Sequence, residues 1–208
     1  EEILSLLETK WAGRNLVYLE TVDSTNDLAK KLADQGAPEG TLVVADEQTG
    51  GKGRRGRAWC TPKGSAIAMT IVLRPDIRPE LASMVTLVMG LSVAKAIGSL
   101  YPVSVGIKWP NDVVVNGKKI CGILTEMSAE MTGIHYLVIG TGINTNVEEF
   151  PEEIQSVATS LIKELGEKVN RAELIAACLK YFEEYYEKYI AAGNLAPLKE
   201  DYEALLLN

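Results

Sequence analysis

Short β-branched apolar runs alternate along this chain with longer stretches whose apolar residues recur every three or four positions. The first kind has the two-residue period of a strand, the second the 3.6-residue period of a helix. Leu16 to Leu19 predicts a strand, and Asp23-Ser24-Thr25-Asn26-Asp27 then opens a helix, with Ser24 and Asp27 at capping-box spacing. Gly36 and Pro38 stop that helix near Gln35. Thr41 to Ala45 predicts a strand leading to Gln48, and Ala66 to Leu73 another, so the intervening segment joins two strands. Glu80 to Leu100 carries Leu81, Met84, Val85, Val88, Leu91 and Ile97, a helical stripe that reads as core.

Val105 to Lys108 and Val113 to Val115 read as strands around Trp109-Pro110-Asn111-Asp112. Asn116-Gly117 is the dipeptide a type I′ hairpin turn prefers, with Ile120 to Met127 as the return strand. Tyr136 to Ile143 predicts a further strand before the polar loop Asn144-Thr145-Asn146, and helices are predicted over Ser156 to Leu165, Arg171 to Ile190 and Leu198 to Leu206. The expected fold class is α+β, a mixed β-sheet with helices mainly on one face.

With 208 residues, 47% of them hydrophobic, the chain suits one substantial domain. Its formal net charge of −7 argues against a general nucleic-acid binder, because non-specific affinity needs a broad basic face. Cys60, Cys121 and Cys178 are widely spaced and odd in number, which suggests neither a zinc site nor a disulfide framework. The expected compartment is the cytoplasm. His135 is the single histidine and reads as a turn residue, and no run is expected to span a membrane.

Against that acidic background stands Gly51-Lys52-Gly53-Arg54-Arg55-Gly56-Arg57-Ala58-Trp59. Glycines let backbone N–H groups approach phosphate oxygens, arginines offer bidentate forks to them, and an indole can stack on a base. The letters also fit the dinucleotide fingerprint G-x-G-x-x-G, but that motif needs a helix at its third glycine, and Pro62 and Gly64 argue against one. A solvated basic turn is the plainer alternative. The second constellation is Lys108-Trp109-Pro110-Asn111-Asp112 with Lys119-Ile120-Cys121-Gly122 across the hairpin. Asp112 suits Mg²⁺ or an ordered water, and Lys119 suits a carboxylate or phosphate; a surface ion pair explains the two charges alone.

Asp23 to Asn26, Gln48 with Gly51 to Trp59, Lys108 to Asp112, Lys119 to Gly122 and Gly140-Thr141-Gly142-Ile143-Asn144 together resemble, in order, the catalytic domain of biotin protein ligases. The resemblance implies a fold related to class II aminoacyl-tRNA synthetases and a two-step reaction. Biotin and ATP, with Mg²⁺, give biotinyl-5′-adenylate, and the biotinyl group passes to a lysine of a biotin carboxyl carrier protein. It implies that Ser24, Thr25, Asn26, Gln48, Lys52, Gly53, Arg54, Lys119 and Gly122 bind biotin. By the same resemblance Arg54, Arg55, Arg57, Trp59, Asn111 and Asn144 bind ATP. Lys119, Arg54 and Asp112 are the implied catalytic residues, Asp112 being the candidate for Mg²⁺ and for the base of the transfer step.

Residues 1–15 look like the linker that follows a winged-helix domain in bifunctional ligase-repressors, and 16–208 like the catalytic domain. The winged helix and the small SH3-like barrel of the family are expected to be absent, as are direct nucleic-acid and membrane contacts; a homodimer remains open. Lys52 stands where the family usually has arginine, and Ala58 where it commonly has a basic residue. Two related readings stay open, a biotinyl-adenylate sensor or co-repressor without transfer, and a lipoate-protein ligase. The second would carry an arginine-glycine-histidine loop with His followed by Asp, whereas His135 precedes Tyr136.

Overall fold

The computed structural model describes residues 1–59 and 61–207; Cys60, one of the three cysteines considered above, lies outside them. The strands are β1 (Leu16–Val22), β2 (Leu42–Gln48), β3 (Ile67–Leu73), β4 (Val105–Lys108), β5 (Asp112–Val115), β6 (Lys118–Glu130) and β7 (Gly133–Ile143). They form one sheet in the order β1-β2-β3-β7-β6-β5-β4. Among these seven strands β1 and β2 pair in parallel and the other neighbours pair antiparallel, so the sheet is mixed as expected. The helices are α1 (Glu2–Leu6), α2 (Thr25–Asp34), α3 (Ala82–Leu100), α4 (Leu161–Leu165), α5 (Arg171–Ala192) and α6 (Lys199–Leu205).

Alternation along the strands assigns each residue to one face. Ile67, Met69, Ile71 and Leu73 of β3 and Leu137, Ile139 and Ile143 of β7 join the main core with α3 and α5. The opposite residues Val43, Val72, Tyr136 and Val138 pack with Ala29 and Ala33 of α2. α2 therefore packs on the second face, where the site forms.

Three segments depart from expectation. Residues 156–160 are not helical, and only Leu161–Leu165 is. Their backbone is taken by β6 instead, through Lys119 N to the Val157 carbonyl at 2.8 Å and Thr159 N to the Lys119 carbonyl at 2.9 Å. Ser160 then caps α4, its Oγ accepting from Lys163 N at 3.4 Å. The linker-like residues 1–15 contain α1 and bury Leu7 and Ala12. They are fastened by Glu183 of α5, whose carboxylate accepts from the backbone N–H of Lys10 at 2.8 Å, Trp11 at 3.0 Å and Ala12 at 2.9 Å. His135 sits within β7 rather than in a turn, exposed and 3.3 Å from Glu130.

Pro79–Leu100 is long and apolar enough by composition to cross a membrane, which corrects the expectation that no run qualifies. Much of that stretch is buried within the protein, where α3 lies in the main core with α5. The Asn116-Gly117 turn is as expected, with φ of 50° and 79° at its two residues, the left-handed pair a type I′ turn requires.

Candidate active site

The site begins with side chains that are missing. Gly122 of β6 and Gly142 of β7 are direct partners, and Gly140 lies opposite Thr70 of β3. All three face the α2 side, because their odd-numbered neighbours Cys121, Ile139 and Ile143 belong to the main core. The result is a floor of bare backbone across two central strands. A Cβ on Gly142 would collide with the Trp59 indole, one on Gly122 would come within 3.0 Å of the same ring, and one on Gly140 would strike the Asn26 amide. Trp59 and Asn26 thus rest directly on the floor. Among the described residues the indole Nε1–H is buried without a hydrogen-bond partner, lying against Gly142.

The N-terminus of α2 roofs one end. Ser24 is its N-cap, with Oγ accepting from Asp27 N at 3.3 Å, so this hydroxyl serves the helix first. Gln48 Oε1 accepts from Thr25 N at 2.8 Å and from Thr25 Oγ1 at 3.0 Å. Thr70 Oγ1 lies 2.8 Å from Thr25 Oγ1 and 2.7 Å from Asn26 Oδ1. Asn26 Nδ2 donates to Glu126 at 3.0 Å, and Glu126 pairs with Lys30 Nζ at 2.6 Å. Burial works to raise the Glu126 pKa, but hydrogen bonds from Lys30 and Asn26 outweigh it and hold the group below its ordinary value. The Lys30 pKa is raised, chiefly by its hydrogen bond to Glu126.

Cations close the other end. Lys119 Nζ lies 3.1 Å from Asp112 Oδ1 and 5.5 Å from the centre of the Trp59 ring. A register shift between Val113 and Val114 in the β5–β6 ladder adjusts how Lys119 is presented. Arg54 Nη1 donates to Asn111 Oδ1, while Asn111 Nδ2 donates to the Ile123 carbonyl at 2.9 Å. The cationic loop folds back on itself, with Lys52 bridged to Ala58, Gly53 N bonded to the Arg57 carbonyl and Trp59 N to the Gly51 carbonyl. Gly51 has no room for a Cβ beside the Trp59 carbonyl, a close approach that requires glycine there.

Residues 18–144 match the model of the biotin/lipoate A/B protein ligase family. The chain belongs to that family. It is 42% identical over 208 residues to the bifunctional ligase/repressor BirA of Bacillus spizizenii, an alignment covering 99% of this chain and 64% of that protein. With the biotin--[acetyl-CoA-carboxylase] ligase of Mycobacterium tuberculosis it shares 33% identity over 92% of this chain and 70% of the relative. Among solved structures, the biotin protein ligase of Aquifex aeolicus in complex with biotin and ATP superposes with a TM-score of 0.80 at 34% identity, covering 93% of this chain and 79% of that one. The fold is therefore the class II synthetase-like fold of biotin protein ligases. The chain spans under two thirds of the length of the Bacillus relative.

Within this family fold the structure gathers most of the expected site residues around one slot: Thr25, Asn26 and Gln48 at the roof, Gly122 in the floor, and Trp59, Arg54, Asn111, Asp112 and Lys119 at the cationic end. Asn144 is buried beside them and begins the loop after β7, its backbone N bonded to the Ile120 carbonyl at 2.8 Å. Gly53 holds the turn of the loop. Three cations fall elsewhere. Lys52 Nζ turns to Asp27, 2.8 Å away on α2, and Arg55 and Arg57 are exposed without a partner among the described residues. The expected Mg²⁺ role of Asp112 is not built by the geometry: its carboxylate is paired with Lys119, and among the described residues no three His, Cys, Asp or Glu side chains group to hold an ion.

Thr70, Glu126 and Lys30 went unremarked in the sequence. They belong to no motif, and the contacts that link Thr70 and Glu126 to Asn26, and Lys30 to Glu126, span 44 to 100 residues. Cys121 lies beneath the floor; burial pushes its thiol pKa well up, so it is inert.

Proposed function

We propose that this chain activates biotin with ATP to biotinyl-5′-adenylate, releasing pyrophosphate, and passes the biotinyl group to a lysine of a biotin carboxyl carrier protein, releasing AMP. The observation that carries this reading is the polarity of the slot. Hydroxyl and amide groups line one end, bare glycine backbone the middle, and Lys119 and Arg54 the other end. Biotin has the same order of parts: a neutral ureido ring that needs hydrogen bonds, an apolar tail, and a carboxylate.

The carboxylate is ionised at neutral pH, having a pKa of about 4, so the first step needs no general base. The barrier lies in bringing it onto an equally anionic α-phosphate. Lys119 and Arg54 offset that repulsion and stabilise the charge that builds on the phosphoryl oxygens. Asp112 holds Lys119 through an ion pair, and Asn111 holds Arg54 through a hydrogen bond. Asp112 is thus assigned to positioning Lys119. Magnesium enters as part of the nucleotide substrate. Trp59, with its ring over the floor, walls the nucleotide side, and Asn144 supplies an amide there.

The test separates the two steps. The protein is mixed with biotin, MgATP and a carrier domain, and biotin-dependent pyrophosphate release and carrier labelling are followed independently. Both are expected. Pyrophosphate release without carrier labelling would leave an adenylate-binding sensor, and release driven by lipoate but not biotin would make this a lipoate ligase.

A further inference from the structure

Glu126 lies outside every motif that marked the site, yet its carboxylate sets the one amide that touches the floor from the roof. Asn26 Nδ2 donates to Glu126 Oε1 at 3.0 Å and to the Leu124 carbonyl at 3.3 Å. An ionised carboxylate and a carbonyl only accept, so the amide nitrogen has to face them. The amide oxygen is then turned the other way, accepting from Thr70 Oγ1 at 2.7 Å and lying against Gly140. One lone pair is used by Thr70, and among the described residues no donor takes the second. Lys30, at 2.6 Å from the other carboxylate oxygen, keeps Glu126 in the accepting form.

We propose that Glu126 is a specificity-determining positioning residue, which fixes Asn26 as a hydrogen-bond acceptor and thereby selects a ligand that presents an N–H group to the Asn26 amide oxygen. Read with the function above, on which this rests, that group is a ureido N–H of biotin. A cyclic disulfide or a plain acyl chain carries no such donor and gains nothing from the arrangement.

The substitution Glu126→Gln turns the device against itself. Lys30, a donor only, claims the single oxygen of the new amide, and the new NH₂ then faces the Asn26 NH₂. Either Asn26 rotates its oxygen away from the ligand or it loses its anchor. Glu126→Ala removes the anchor but leaves the Leu124 carbonyl to hold the native orientation. The double variant Lys30→Met/Glu126→Gln frees the glutamine oxygen to accept from Asn26 again.

Biotin affinity is measured by calorimetry without ATP, beside a melting curve for each variant. Loss of one buried hydrogen bond corresponds to roughly tenfold in Kd. Glu126→Gln is expected to weaken biotin about tenfold, Glu126→Ala less, and the double variant to recover most of the loss. A role in packing alone predicts the reverse order, since alanine leaves the larger hole, and predicts no recovery. Either finding would overturn the proposal. Where Glu126→Gln does not fold, the double variant is compared with Lys30→Met alone, and unequal affinities would overturn it. A parent protein that binds no biotin would sink the function itself, whereas a parent that binds biotin with the wrong variant order sinks only this inference.

Discussion

The two faces of β7 differ by a single position in register and carry out opposite tasks. Leu137, Ile139 and Ile143 point to α3 and α5 and are fully buried, while Val138, Gly140 and Gly142 point to α2 and the cationic loop. On the first face every side chain fills volume; on the second the informative residues are those with no side chain. A strand that is apolar throughout would have made a closed sandwich. The missing Cβ atoms at Gly140 and Gly142 make room for the Asn26 amide and the Trp59 indole without breaking the ladder, because backbone pairing does not depend on the side chain. Stability and binding are thus separable by face.

The largest effect lies at the cationic end of the slot. Lys119→Ala is expected to slow adenylate formation by about two to three orders of magnitude, since it removes a charge that acts on the transferring phosphoryl group. Lys108→Ala should do far less: Lys108 is exposed and has no ion-pair partner among the described residues. Single-turnover rates at saturating biotin and ATP decide the matter. A larger defect at Lys108 would move the reacting anions to the wrong side of the bend.

The comparison of faces is broken or sharpened by paired substitutions on β7. Ile139→Ala should lower stability by about 2–5 kcal/mol, through lost burial and the cavity left behind, with the biotin Kd of the folded fraction little changed. Gly142→Ala should do the reverse. Its Cβ has to displace the Trp59 indole, which rests on that glycine at the edge of the slot, so ligand affinity is expected to fall about tenfold with little loss of stability. Denaturant titration and calorimetry on both variants would refute the division if Gly142→Ala proved the more destabilising.

A smaller effect concerns the loop. Arg55 holds a left-handed φ of 58°, and Arg54, Arg55 and Arg57 are all exposed, so trypsin should cut there in the free protein. Bound biotin should slow that cleavage several-fold by fixing the loop across the slot. Unchanged nicking at saturating biotin would show that the loop does not close on this ligand.

Much of this was readable in advance where period and local chemistry agreed. The alternation of β3 and β7, the Ser24 cap, the Asn116-Gly117 turn and the meeting of Asp112 with Lys119 all follow from residues near one another in sequence. Ser156 to Ser160 failed because an apolar residue spacing of helical type was overridden by a strand edge in need of partners. Glu183 looked like one more charge on the solvent face of a long helix, yet it collects three backbone donors from residues 10–12. The network of Lys30, Glu126, Asn26 and Thr70 was hidden for the same reason: each is ordinary alone, and only the sheet brings them together. The glycines of the floor carried their signal as a gap at every second position, which shows only once the register is known.

The smallest effect tests the rim of the slot, where Asp27 links Lys52 of the loop to α2. The hydrogen bond from Lys52 is the main cause that lowers the Asp27 pKa from its ordinary 3.8, helped by Lys30. A carboxyl group whose folded pKa is depressed stabilises the fold above its unfolded pKa and loses that contribution as pH falls through the folded value. Asp27→Asn should therefore destabilise at neutral pH, and the difference from the parent should vanish in acid below the ordinary aspartate range. Both partners are close to half exposed, with side-chain exposures of 49% for Lys52 and 44% for Asp27, so solvent screening limits the effect to under about 1 kcal/mol. Added salt should shrink it further, since it screens exposed pairs. Urea titrations of both proteins at neutral and acid pH, with and without salt, measure it. A difference that persists in acid would mean that Asp27 acts through packing at the start of α2 and not through its charge.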